Sequence, residues 1–465
     1  MWSQRTLSLW SALTARTEDS SRAPPMEGST LLGSETVVPA NARLPKVMPA
    51  LHMPRLLGAI HIVFFHMTHY VTFASAGNSW VTFFFMLSAF GATHSQVASV
   101  GLRETAESAP WFPDPLKLLR RWVSVYPTYL VAFLLAWLGR CLIMRGLKSS
   151  CFHPAQLIVE GLMLTGWFPV YGVTSTIGQH FYNTPGWYVS ALAVLWFFEG
   201  AVIRLAAKAC VQAGPGRIPW YALACTLIWV LCLPFASFPY TWGIRQPQTA
   251  ITVIPPMQNL HVYFLGSLLA CWMHGRADVG LMPFRFAATI SSLVLVAFFF
   301  FDVKWLGTDP ETLMANKAII LRLRSGTGAL IPVFAALLAG LAGGVDPLAV
   351  GLGMLPQVVN DAARELATGV YLLQEPVCLL FTTIVMLGKF QAIEGTWVPF
   401  GGLPFFGVYL LAYFAVLFVV SALVQYAVQK PLAKFLLAQL PPSNSNSSSR
   451  SSSSPAGERS AVATK

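Results

Sequence analysis

Arg55 and His66 are separated by ten residues, LLGAIHIVFF, all but one of them apolar. Eleven steps of about 100° return the chain to within about 20° of its starting direction, and a rise of 1.5 Å per residue puts the two side chains roughly 16 Å apart on one helix face. A guanidinium at a membrane boundary suits phosphate, because its planar fork of donors matches phosphate oxygens bidentately. An imidazole carried about halfway into a hydrocarbon core about 30 Å thick is costly, and such a group usually has a task. Burial holds it neutral, and a neutral histidine can take the proton of an attacking hydroxyl, a general-base role worth about 10² to 10⁴ in rate. Ser88, on the next apolar segment, can hydrogen-bond either a reacting carbonyl oxygen or the imidazole. Attack through a covalent intermediate on His66 and direct transfer are both open. Arg120 and Arg121 supply a second basic cluster of the same kind as Arg55.

These residues need elements that cross a membrane. Of 465 residues, 55% are hydrophobic and only 11% charged, with a mean hydropathy of +0.59, whereas soluble chains are about 25% charged. The expected fold is therefore all-α, a polytopic membrane helix bundle. Apolar runs of near-membrane length predict about ten transmembrane helices, at about 55–75, 79–97, 122–143, 186–207, 218–236, 258–274, 284–301, 326–344, 366–388 and 404–428. The run at 155–168 carries Glu160 and is too short to cross, so it reads as a re-entrant or interfacial helix. Glu375, beside Pro376, is expected at a helix break. Residues 1–50 mix Ser, Pro, Arg and Glu without helical period, and 441–465 are Ser-rich and polar. Neither tail can bury a core, so disorder is expected on both sides of a transmembrane domain at 51–440.

Most of the 30 Lys and Arg fall on one side if both termini are cytoplasmic. In that topology Arg55, Arg120 and Arg121 lie at the inner face, although Lys304, Lys317, Arg322 and Arg324 crowd one outer loop. The net charge of +11 is then ordinary topology signalling, and nothing in the pattern calls for nucleic acid. The seven cysteines are scattered without a CxxC pair and read as isolated thiols. His66 shares its face with His69 but not with His61, which lies about 140° away, and no carboxylate or thiol is near in sequence; no metal is expected.

The order of short motifs carries more. Arg55 and His66 are followed by Phe84-Phe85, then Ser88-Ala89-Phe90, by Arg121 and Tyr126-Pro127, by Trp187, by Tyr371-Leu372 with Gln374, and by Gln429-Lys430-Pro431. Over residues 53–437 this order resembles the acyltransferase-3 family, multi-pass membrane proteins that move acyl groups, commonly acetyl, from acyl-CoA to hydroxyls of sugars or other small acceptors. The likeness implies that His66 and Ser88 are catalytic. It also implies that Arg55, Arg120, Arg121, Tyr126 and Trp187 hold the acyl-CoA donor, with acetyl-CoA the expected form. The chain departs from the family at Ala89 for Gly, Ser124 for the second Arg, Gln374 for His and Gln429 for Glu. Gln374 cannot titrate, so any proton transfer that the family assigns to that histidine is absent or non-essential here, and Ser124 removes one cation from the donor site. The expected partners are the lipid bilayer, acyl-CoA and a carbohydrate or other small acceptor. The competing class is a transporter of a small anionic or polar solute, which would have as many spans; no matched pair of broken helices in two halves is visible.

Overall fold

The computed structural model describes residues 44–45, 48–67, 77–143, 154–165, 183, 185–228, 255–276, 281, 284–300, 330–385 and 406–441. Most of both polar tails and the basic loop carrying Lys304, Lys317, Arg322 and Arg324 lie outside these residues. Among the described residues the fold is all-helical, with no strand. A short 3₁₀ turn, Pro49–Leu51, leads into α1 (His52–Met67). Then come α2 (Trp80–Val100), α3 (Leu102–Ser108), α4 (Pro115–Ile143), α5 (Pro154–Gly161) and α6 (Gly186–Ala213). After helical residues 220–228 follow α7 (Pro255–Arg276), α8 (Ala287–Phe300), α9 (Ile331–Gly343), α10 (Pro347–Gly353) and α11 (Gln357–Val385). The chain closes with α12 (Phe406–Leu423), a π-helical turn at Val424–Gln429 and α13 (Lys430–Ala438).

α2 packs on α7, α7 on α6, and α1 on α11, which also meets α4 and α12. Phe83, Phe85, Met86 and Phe90 of α2, Tyr263 of α7 and Phe334 of α9 form the fully buried centre. Three helical stretches are long and apolar enough to cross a bilayer: Pro115–Gly139, Gly186–Ala213 and Gly407–Ala438. A fourth crossing arises if Ile331–Gly343 and Pro347–Gly353, bent by 57°, form one span. The count therefore stands at three to four among the described residues, short of ten. α1 is described only as far as Met67, and α2 and α7 carry His94, Ser95 and His274, polar groups that line a cavity and lower the apolarity of their helices.

Buried polar groups fix the joints. Asp346, fully buried, caps two helices at once. One carboxylate oxygen accepts Leu348 N–H at 2.9 Å and Thr289 Oγ1 at 2.6 Å, and the other accepts Ala288 N–H at 2.8 Å and Thr289 N–H at 3.1 Å. A carboxylate at helix N-termini satisfies orphan donors and opposes the positive end of the dipole, so the bend between α9 and α10 is locked to the start of α8.

The helix that carries Pro376 behaves differently from expectation. α11 runs without interruption through Pro376, so Glu375 is not at a break. Neighbouring helices can re-satisfy the backbone groups that a proline frees. α4 contains Pro127, and there Gln429 inserts its carboxamide: Oε1 accepts Thr128 N–H at 3.0 Å and Thr128 Oγ1 at 2.9 Å, while Nε2 donates to the Ser124 carbonyl. Ser124 C=O and Thr128 N–H are the partners that an unbroken helix joins directly, and the π turn carries Gln429 to them. Lys430 next to it pairs with Glu365 of α11 at 2.8 Å. α5 spans only eight residues, about 12 Å, and cannot cross.

Candidate functional site

A cavity of about 1640 Å³ opens between α1, α2, α4, α6, α7 and α11. Its outer lining includes the exposed Ser99, Gly101 and Arg103, and its inner lining the buried Phe84 and Tyr371. Helical register explains which side chains reach it. α2 contributes Phe84, Ser88, Gly91 and Ser95 at steps of four and three; α11 contributes Arg364, Thr368 and Tyr371 in the same way; α1 contributes His52 and Arg55. Four arginines line the space, Arg55, Arg103, Arg121 and Arg364, and among the described residues no carboxylate does.

The arginines are not equivalent. Arg121 binds Glu199, which is 2% exposed and is shared with Lys117 at 3.7 Å and with the Tyr263 hydroxyl at 3.1 Å. Most of its charge is spent inside the protein. Arg364 pairs with Asp361 at 3.1 Å and with Glu365 at 3.6 Å. Arg55 is different: its Nη2 donates to Thr368 Oγ1 at 2.7 Å, and among the described residues it has no acidic partner. A guanidinium carries five N–H donors, so one neutral hydroxyl leaves donors to spare in a side chain that lines the cavity.

The residues expected from sequence separate into two groups. Arg55, Ser88 and Arg121 line the one cavity. Arg120 turns away and donates to the Pro441 carbonyl. Tyr126 stacks on Trp122 and donates to the Gly161 carbonyl at 2.9 Å, closing the end of α5 in the same way as the Tyr129 hydroxyl on the Glu160 carbonyl. Trp187 packs against Phe85 and Tyr188 outside the cavity lining. His66 lies in the last turn of α1, half-buried beside the Phe65 ring at 5.2 Å, and does not line the cavity either. Within α1 the lining reaches no further than Arg55, and Phe84, Tyr188 and Tyr371, which also line the cavity, pack together at centroid distances of 5.4–6.3 Å. Residues 68–76, which follow His66 and include His69, lie outside the described residues. The deeply buried imidazole of α1 is His61, 5% exposed, whose Nδ1 accepts Trp80 Nε1–H at 2.8 Å while its ring meets Phe299 edge-on.

Gln374, standing where the resembled family has histidine, is fully buried and donates to the Tyr371 carbonyl at 2.7 Å, outside the cavity lining. Sequence reasoning passed over Tyr188, Thr368, Arg364 and His52. It also missed a histidine pair, His94 Nδ1 to His274 Nε2 at 2.9 Å, contributed by helices 180 residues apart. Of these, only the i, i+4, i+7 stripe of Arg364, Thr368 and Tyr371 leaves a signal in the sequence. No family model matches the chain, and no curated protein or solved structure does.

Proposed function

We propose that the protein is an integral membrane acyltransferase, similar to the acyltransferase-3 family, that transfers an acyl group, in the first instance acetyl, from acyl-CoA to a hydroxyl of a carbohydrate or other small acceptor. The observation that carries this reading is Arg55, a cation with a single neutral partner in a cavity lined by arginines and free of carboxylates among the described residues. Such a space favours a polyanion, and its volume exceeds the roughly 300–1,000 Å³ of ordinary ligand pockets, which suits a long donor. Arg103 and Arg364 meet the phosphates on the way in, and the acyl end reaches Ser88 and the ring cluster. His66 serves as general base from the acceptor side. Helical side chains lean towards the N-terminus, which for His66 is the direction of the cavity's inner end. In a bundle of about ten spans with both termini cytoplasmic, donor and acceptor approach from opposite faces.

Purified protein in lipid nanodiscs, given labelled acetyl-CoA and a panel of sugar hydroxyls, tests the reading. His66→Ala lowers kcat by about 10²- to 10⁴-fold, the contribution of a general base, and Arg55→Gln weakens donor binding by about 10- to 100-fold, the loss of a charge-assisted bond. Transfer at wild-type rate by the His66 variant removes the base from this role. Uptake of an anionic solute into vesicles without any thioester, in place of transfer, identifies a transporter instead.

A further inference from the structure

Buried and half-buried tyrosines among the described residues differ in what their hydroxyls do. Tyr126, Tyr129, Tyr263 and Tyr413 each donate to a protein oxygen, at 2.9, 2.6, 3.1 and 2.8 Å respectively. Tyr188 and Tyr371, which line the cavity, have no protein partner for their hydroxyls among the described residues, although Tyr371 is only 5% exposed. Buried phenols ordinarily find an acceptor. Their rings meet edge to face at 5.4 Å, with Phe84 walling both. Arg55 lies near enough for its charge to act on Tyr188, and Tyr371 stands one helical turn beyond Thr368, the residue that holds Arg55. Two phenol donors and a guanidinium with donors to spare share the inner end of a space without carboxylates. Such a site takes a group that only accepts hydrogen bonds.

We propose that Tyr188 and Tyr371, supported by Arg55, bind the carbonyl oxygen of the acyl thioester and stabilise it as it becomes an oxyanion. The assignment rests on the acyl-transfer reading and adds catalytic residues to it. The acceptor oxygen attacks the acyl carbon, forming the new C–O bond, and the carbonyl π electrons move onto the oxygen held by the two phenols. When the intermediate collapses, the C–S bond breaks with its electron pair on sulfur. The sulfur takes up the proton that the acceptor hydroxyl lost, which gives an ester and a free thiol. Preorganised donors aimed at a developing oxyanion act most strongly where water is excluded, and the ring cluster provides that exclusion.

Tyr188→Phe and Tyr371→Phe keep the rings and delete the donors. In the full chain in nanodiscs, with acetyl-CoA carrying carbon-13 at the carbonyl, the infrared band of the bound carbonyl lies below that of free acetyl-CoA and returns towards it in each variant. Each variant loses about 10²- to 10³-fold in kcat, as expected for removal of one oxyanion donor, while affinity for thioester-free CoA stays within about twofold. An unshifted band in wild type, an unchanged kcat in both variants of an active enzyme, or equal loss of acetyl-CoA and CoA binding overturns the assignment; the last result makes the phenols a phosphate site. A shifted band in a wild-type protein that acylates no hydroxyl overturns the acyl-transfer reading and leaves the phenol–carbonyl contact standing.

Discussion

His52 opens α1 one turn before Arg55, ahead of the apolar run, and it reports on the cavity's charge. Burial lowers its pKa below 6.5, Arg364 and Arg55 lower it further, and Asp361 opposes them. With the folded-state value below the unfolded one, protonation favours the unfolded chain, so His52 costs stability as pH falls through and below about 6.5. A bound polyanion offsets Arg55 and Arg364 and raises the His52 pKa, so binding takes up a proton. On the proposed reading, His52 is expected to contribute proton uptake on CoA binding below pH 7, and His52→Gln to remove that contribution; titration calorimetry in buffers of different ionisation enthalpy measures both. At this scale the sequence was informative about Arg55, because a cation in a hydrophobic helix is rare enough to mark a site. For His66 the structure shows that the side chain does not line the cavity. Helical phase aligned the two residues, but the phase of one helix does not tell how far along it a cavity extends, and of the two only Arg55 is in the lining.

Close backbone contact sets the element scale. A Cβ built on Gly266 of α7 would lie 2.2 Å from the Met86 carbonyl oxygen of α2, and one on Gly340 of α9 would lie 2.3 Å from the Ala288 nitrogen of α8. Backbone cannot yield as a flexible side chain can, and small residues at such crossings let helices approach closely. Gly266→Ala therefore pushes α2 from α7 and costs about 1–3 kcal/mol, the range for overpacking. It lowers the fluorescence-detected Tm, whereas Gly351→Ala, with nothing within 4 Å of its Cβ, leaves Tm unchanged on the packing account. The prolines belong here too. Pro376 reads in sequence as a helix break, yet α11 continues through it, and α4 continues through Pro127 as the expected span at 122–143 does. At Pro127 the repair comes from Gln429, some 300 residues away, which local sequence cannot announce.

For the molecule as a whole, the expected arrangement places both termini and the open end of the arginine-lined cavity in the cytoplasm. In sealed vesicles of known orientation, tags at both ends are expected to be accessible from the cytoplasmic face alone, and Arg103→Cys, at the cavity's outer lining, is expected to react with a membrane-impermeant thiol reagent from that face. Labelling of the two ends from opposite faces would mean an odd number of crossings.

Composition by itself determined that this is a helical protein with segments fit for a membrane, because backbone polar groups in lipid must be satisfied within the segment and because 11% charge cannot cover a soluble surface. Sequence phase placed Arg55 and His66 on one face of α1, and the tertiary structure decided that of the two only Arg55 lines the cavity. Only the tertiary structure decided which cations keep their charge available: Arg121 is paired by Glu199, 78 residues on, and Arg55 meets Thr368, 313 residues on. It likewise left the hydroxyls of Tyr188 and Tyr371, both in the cavity lining, without a protein hydrogen-bond partner among the described residues. Hydrogen-bond pairing between distant helices depends on a few tenths of an ångström in three dimensions, and a linear pattern does not carry that information.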